Sequence, residues 1–496
     1  MSTIRRQSII SSVIIFIGFA IGFANNLIFT REGIFTVEQY GLTRSFFDFG
    51  QVIFGFSFLG VTAVMYKFYP YYKSHLPDEK NDLLTWVLLT AVVGFFIFLL
   101  GGVVFQSFFI RKFSGKSPLL VNYYYWLYPF GLSLMVFLVL ESYCWSLKRT
   151  IITNFLKEAA LRIITGIFII LFLFKVINYD VFIKLFTFLY TIVVFILLIY
   201  LKRKKQLHFT FKASKVTRRL RKRIITYALF IFAGTLVATL SATIDSIIIS
   251  SLLGQASLGV FALSSYISNL IQIPQRSVSA ISIPVLSEAW KNKDYQQIDR
   301  IYKRSSLNLL LAGLFIFGNI WLNFENAIYT FDLNPAYLAG KQVAFFLACK
   351  LIVDMGTGVN GQIIITSNYW RFEFLTGVIL LLLIAPLNYL LIKELGIVGS
   401  AISNFSSYTI YNLVRLLFLW KKFKMQPFTI NTLWAFALCI ACYFIAYALP
   451  ETKGLWGIII KSSVFSIIFI IITWKFKLTP DFEPVLNTLK KRMGFK

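Results

Sequence analysis

Residues 83–102 read LLTWVLLTAVVGFFIFLLGG, twenty positions without a charged side chain. Wound at 1.5 Å per residue, such a run covers about 30 Å, the thickness of the hydrocarbon core of a bilayer. No water is present there to bond the main chain, so a segment of this kind must close its own hydrogen bonds as a helix. A membrane barrel would instead show segments of about ten residues with alternating polarity, and no such pattern is visible.

Runs of this character recur from one end of the chain to the other. They predict about fourteen spans, beginning near Ser8, Phe46, Leu83, Val121, Glu158, Val181, Ile224, Leu258, Ser305, Gln342, Phe372, Ile397, Thr432 and Leu455. Composition agrees, with 58% hydrophobic and 14% charged residues against about 25% charged in soluble domains. The expected fold class is an all-α polytopic membrane protein.

A net charge of +28 invites a nucleic-acid partner, but the placement of the charges excludes one. With the N-terminus in the cytoplasm, the even-numbered connections become cytoplasmic. They hold Lys67, Lys73, Lys148, Arg149, Lys202 through Lys205, Arg218, Arg219, Lys291, Lys293, Lys421 and Lys422. Roughly 35 of the 49 Lys and Arg then lie inside, as the positive-inside rule requires. An even number of spans returns the C-terminus to the cytoplasm. The basicity is topological, with attraction to anionic membrane lipid as a secondary effect.

The richest cytoplasmic stretch, KRKKQLHFTFKASKVTRRLRKR at 202–223, separates six spans from eight. One offset pairs EQYG, ending at Gly41, with ASLG, ending at Gly259. The same offset pairs Arg5 with Arg223, and Arg203 and Lys204 with Lys421 and Lys422. Both halves run in the same direction, which is a parallel repeat about an axis along the membrane normal. The expected organisation is an N-lobe at 1–205, a basic cytoplasmic linker at 206–223 and a C-lobe at 224–425. A terminal pair of helices with a basic tail follows at 426–496. Two six-helix lobes would enclose a central cavity. The polar segment SEAWKNKDYQQIDRIYKRS at 287–305 and the tail after Lys477 are expected to lie along the cytoplasmic face.

Catalytic motifs are absent: there is no nucleophile elbow, no H-E-x-x-H and no P-loop. Neither a metal nor a cofactor is expected. A G-x-G-x-x-G pattern at Gly356, Gly358 and Gly361 lies inside an apolar span, where glycines permit close helix packing or a local break. His75 and His208 fall in loops, and Cys144, Cys349, Cys439 and Cys442 fall within spans, where a thiol acts as a small apolar residue.

Charge at membrane depth is the informative feature, because it is costly and marks function by default. The candidates are Glu141, Asp245, Arg276, Lys350, Asp354 and Arg415, with Arg31, Glu32, Arg44 and Asp48 near the outer ends of the first two spans. Lys350 and Asp354 are spaced to share a helix face and neutralise each other. Arg415, near a cytoplasmic end, can snorkel. Arg276 follows Pro274, where a break in the helix would need a polar cavity to satisfy the freed backbone. Arginine is always charged and binds phosphate oxygens in pairs, so Arg31, Arg44, Arg276 and Lys350 favour an anionic, diphosphate-bearing substrate. Glu141, Asp245 and Asp354 are the carboxylates open to Na+ or H+ coupling. An outward-moving negative charge also gains about 2.3 kcal/mol per 100 mV of inside-negative potential.

Three stretches carry a resemblance to a known family. TREGIFTVEQYG (30–41) resembles the signature after the first helix of bacterial polysaccharide flippases. ATIDSIIISSLLGQASLGVFALSSYISNLIQIP (242–274) resembles the matching segment of their second lobe. LNYLLIKELGIVGSAISNFSSYTIYNLVR (387–415) resembles their Gly-x-x-Gly-Ala-Ala stretch, with Ser400 in place of the first alanine. The resemblance to this branch of the multidrug/oligosaccharidyl-lipid/polysaccharide exporter superfamily implies two six-helix bundles working by alternating access. It implies a flippase of the bacterial inner membrane that moves an undecaprenyl-diphosphate-linked oligosaccharide to the periplasmic leaflet, beside glycan polymerase or ligase machinery. Arg31 matches an arginine at the cavity mouth of this family and of lipid II flippases. The latter often carry Arg-Asp there, where this chain has Arg31-Glu32. Their second-lobe basic residue is matched only loosely by Arg276, and the last two spans resemble those that cradle the lipid tail. An ion-coupled exporter of cationic drugs and a non-transporting scaffold for polysaccharide assembly are the competing functions.

Overall fold

A computed structural model describes residues 3–450 and 452–484, with side chains from residue 13 onward. Arg5, Arg6 and most of the basic tail therefore lie outside the described side chains. Among the described residues the chain is helical, and it divides after Gly259 into two compact units.

In the first unit the long helices are α1 (Thr3–Thr30), α2 (Val37–Ser57), α3 (Val61–His75), α4 (Leu83–Val104), α5 (Leu127–Ser146), α6 (Leu161–Leu173), α7 (Leu189–Arg203) and α8 (Lys215–Leu252). Local sequence sets their starts. Thr36 and Gln39 form a reciprocal capping box at α2, each side chain accepting the other's backbone N–H at 3.1 and 3.0 Å. Ser214 caps α8 by accepting from Thr217 N at 3.1 Å. The core is aromatic: Phe46, Phe47, Phe130, Phe186 and Tyr190 meet mostly edge to face. α8 packs along α2 and α3.

The second unit takes up the chain within α9 (Gln255–Ser268) and adds α10 (Ile273–Lys291), α11 (Tyr295–Thr330), α12 (Lys341–Gly356), α13 (Trp370–Leu395), α14 (Ile397–Phe423), α15 (Ile430–Tyr447) and α16 (Gly454–Lys475). Leu310 and Leu314 of α11, Cys439 and Cys442 of α15, and Phe465 and Phe469 of α16 form one buried apolar cluster. Cys439 and Cys442 are spaced as C-x-x-C, and both are free and buried.

Eleven described helical segments are long and apolar enough to cross a membrane. The pair α2–α3, bent by 55° at residues 58–60, makes a twelfth if taken as one span. The count of about fourteen is thus not reached. The expected span near Glu158 is helical but interrupted by a π-turn at Phe155–Ala160 and carries Lys157, Glu158 and Arg162. The one near Ile397 is α14, whose buried face is polar, with Ser400, Ser403, Asn404, Ser407, Asn412 and Arg415.

Segment 287–305 does not form a helix of its own. α10 ends at Lys291, Asp294 caps α11 by accepting from Gln297 N at 2.9 Å, and α11 then runs on as one helix of 36 residues. Ile298 and Tyr302 are fully buried against Leu286, Val359 and Ile363, which removes the apolar face that would have lain on lipid.

Candidate functional site

Beside Pro274 the helical path tightens but does not break, since Gln255–Lys291 runs as one span. A 3₁₀ turn at Asn269–Gln272 separates α9 from α10, and Pro274 falls in the first turn of α10, where its missing N–H costs nothing. The glycine pattern marks a true break. α12 stops at Gly356, Gly358 adopts φ +62°, and a short helix at Asn360–Thr366 resumes the path. A side chain on Gly358 would sit 2.9 Å from the backbone N of Ser306, and one on Gly361 would sit 3.2 Å from the guanidinium of Arg415.

The 3₁₀ turn beside Pro274 and the break after Gly356, with α13 and α14, surround a cavity of about 440 Å³ in the second unit. Its lining is rich in amides, with Gln272, Gln275, Asn360 and Gln362, and includes Ser279, Arg276, Asp354, Glu373 and Arg415. Asp354 accepts from Gln275 Nε2 at 2.7 Å and from Asn412 Nδ2 at 3.1 Å. The Asn412 oxygen in turn accepts from Thr357 Oγ1 at 3.1 Å and Asn360 Nδ2 at 3.0 Å. Arg415 is 7% exposed. It donates to Glu373 and Tyr411, and its guanidinium lies over the Tyr411 ring at 3.8 Å. Three buried atoms among these lining side chains have no partner: Gln275 Oε1, Glu373 Oε2 and Arg415 Nε. Arg276 is exposed to the cavity and makes no hydrogen bond or ion pair with the described residues. With Asp354 held by amides and Glu373 by Arg415, Arg276 is the cation in this lining that no acid neutralises.

The other sequence candidates fall elsewhere. Lys350 does not pair with Asp354; it donates to Asn404 Oδ1 at 2.9 Å and lies 3.9 Å from the Tyr408 ring centre. Arg415 does not snorkel but is held inside by Glu373. In the first unit, Arg44 Nε donates to Asp48 Oδ2 at 2.6 Å, and Ser246 Oγ donates to the same oxygen at 2.5 Å. Asp245 is buried beside Ser246 on α8. Glu141, buried on α5, accepts from Lys157 Nζ at 3.3 Å on each oxygen. Arg31 is exposed just past α1. Gln275, Asn360, Glu373 and Asn412 were missed in the sequence. Glu373 had a signal, as an acid at the start of a span whose successor carries a lone arginine.

Many apolar helices, several broken where polar side chains gather, define a multi-pass membrane protein with a transporter fold. The chain belongs to the polysaccharide biosynthesis protein family, whose model matches residues 4–290. No curated protein matches it by sequence. Among solved structures, it is similar to the lipid II flippase MurJ in an inward closed conformation. That match has 15% identity and a TM-score of 0.74, covering 94% of this chain and 98% of that one. It is also similar to an inward-facing multidrug resistance MATE family transporter of the MOP superfamily, at 13% identity and a TM-score of 0.63, covering 84% and 97%. An outward-facing structure of such a transporter matches with a TM-score of 0.56 at 13% identity, covering 84% and 95%. The fold it shares is that of a flippase and of transporters.

Proposed function

We propose that this protein moves an undecaprenyl-diphosphate-linked oligosaccharide from the cytoplasmic to the periplasmic leaflet of a bacterial inner membrane by alternating access. The observation that carries this reading is the cavity of the second unit. An unpaired arginine stands there beside a lining of amides and unmet polar atoms. Arg276 takes a diphosphate oxygen, since charge-assisted hydrogen bonds to phosphate are among the stronger polar contacts. Gln275 Oε1 and Glu373 Oε2 accept from sugar hydroxyls, and Arg415 Nε donates to one. The volume lies within the usual range for a small-molecule site, about 300–1,000 Å³. Within the second unit Lys350, released from Asn404, is proposed as a further phosphate contact; in the first unit Arg31, and Arg44 once released from Asp48, are proposed as phosphate contacts of their own. Membership of a polysaccharide biosynthesis family and likeness to a lipid II flippase support the same substrate class.

The test is the sidedness of lipid-linked oligosaccharide in cells depleted of the protein. Accumulation on the cytoplasmic leaflet, relieved by wild-type chain but not by Arg276→Ala, is the expected result. Unchanged sidedness overturns it. The buried carboxylates and the likeness to a multidrug transporter favour one second reading, ion-coupled export of cationic drugs. Normal sidedness with drug sensitivity restored to normal only when Asp354 is intact would select that reading instead.

A further inference from the structure

A second cavity, in the first unit and independent of the one above, has no part in that proposal. It measures about 630 Å³ and is lined by Tyr71 and His75 at the end of α3, by Lys80, and by Lys212, Lys215 and Arg219 around the start of α8. Lys80, Lys212, Lys215 and Arg219 are exposed and form no ion pair or hydrogen bond with the described residues. The acids nearby in sequence do not neutralise them. Asp82 is buried, with its Oδ2 accepting from Trp86 Nε1 at 3.1 Å, Ser214 N at 2.8 Å and Thr217 Oγ1 at 2.7 Å. Asp78 and Glu79 stand on an exposed turn outside the lining. A concave surface with four unmatched cations attracts a multiply charged anion.

The linker beside this cavity says what kind. Thr210 is fixed to the protein, its N–H donating to Thr85 Oγ1 and its hydroxyl to the Glu79 carbonyl, each at 2.9 Å. Its neighbours Phe209 and Phe211 are 51% and 72% exposed. Aromatic rings displayed next to lysines are the composition of a membrane interface, where the rings enter the headgroup layer and the cations meet phosphate. The cavity also lies at the ends of two helical spans, α2–α3 and α8.

We infer that this cavity binds the phosphate of an anionic membrane lipid, seated between Lys80, Lys212, Lys215 and Arg219 with Phe209 and Phe211 in the headgroup layer. The whole chain in phosphatidylcholine nanodiscs, doped with increasing phosphatidylglycerol, provides the test, read by unfolding temperature and by lipid retained in native mass spectrometry. The wild type should gain stability and retain phosphatidylglycerol. Combined Lys212→Gln, Lys215→Gln and Arg219→Gln should weaken retention on the order of a hundredfold. These exposed side chains hold nothing in place, so the variant folds. A control with Lys393→Gln, Lys453→Gln and Lys475→Gln, which removes as much charge elsewhere, should behave as wild type. Equal retention in both triple variants overturns the inference. So does equal stabilisation of the wild type by inorganic phosphate in pure phosphatidylcholine, which would make the ligand a soluble phosphate.

Discussion

Arg276 and Arg415 face one cavity from different helices, yet they are held in opposite ways. Arg415 is buried against Glu373 and Tyr411, while Arg276 stands exposed in the cavity and forms no ion pair with a described residue. Arg276→Ala should leave the unfolding temperature unchanged and lower the rate of flipping in proteoliposomes by about ten- to a hundredfold, the worth of a hydrogen bond to a charged group. Glu373→Gln should do the reverse to stability: stranding Arg415 inside costs about 3–5 kcal/mol, read as a fall in the unfolding midpoint. Glu373→Gln combined with Arg415→Met should recover most of that loss. The sequence reached Arg276 because Pro274 sits two residues away. It did not reach the partner of Arg415, which lies on the preceding helix, and it paired Lys350 with Asp354 because they share a turn. The amides of Asn404 and Asn412 on α14 outcompete that pairing, and nothing local to Lys350 announces them.

At the scale of elements, the breaks matter more than the helices. Gly358 allows α12 to stop, the Gly356 carbonyl then accepts from Ser306 Oγ, and Asn360 and Gln362 just beyond line the cavity. Gly358→Ala should cost about 1–3 kcal/mol of stability, from the left-handed backbone and the approach to Ser306, and should depress transport along with it. Gly361→Ala, without a positive φ, should spare the backbone and act through displacement of Arg415. A thermal melt alongside a transport assay separates the two. The helical character and most of the long apolar spans were legible, since about twenty apolar residues leave little choice of structure in lipid. The joint between α10 and α11 was not, because a short polar stretch rich in Lys and Tyr reads equally as a surface helix or as two helix ends. Its fate was decided by Leu286 and Ile363, which lie before and far beyond it.

For the whole molecule, the charge asymmetry fixes an expected orientation that thiol labelling can check. In intact cells a membrane-impermeant maleimide should label Arg31→Cys and should reach Lys205→Cys only after permeabilisation; both positions are exposed. Labelling of Lys205→Cys from outside would invert the topology. A collapsed membrane potential should slow export of a diphosphate headgroup, at about 2.3 kcal/mol per charge per 100 mV. The polar face of α14 bears on biogenesis. A helix carrying Asn404, Asn412 and Arg415 is a poor candidate to leave the translocon for lipid by itself. α13, strongly apolar and joined to it through Gly396 alone, packs along it. The two are therefore expected to enter the bilayer as one hairpin, so a nascent chain paused between them should hold α13 at the exit gate until its successor has been synthesised.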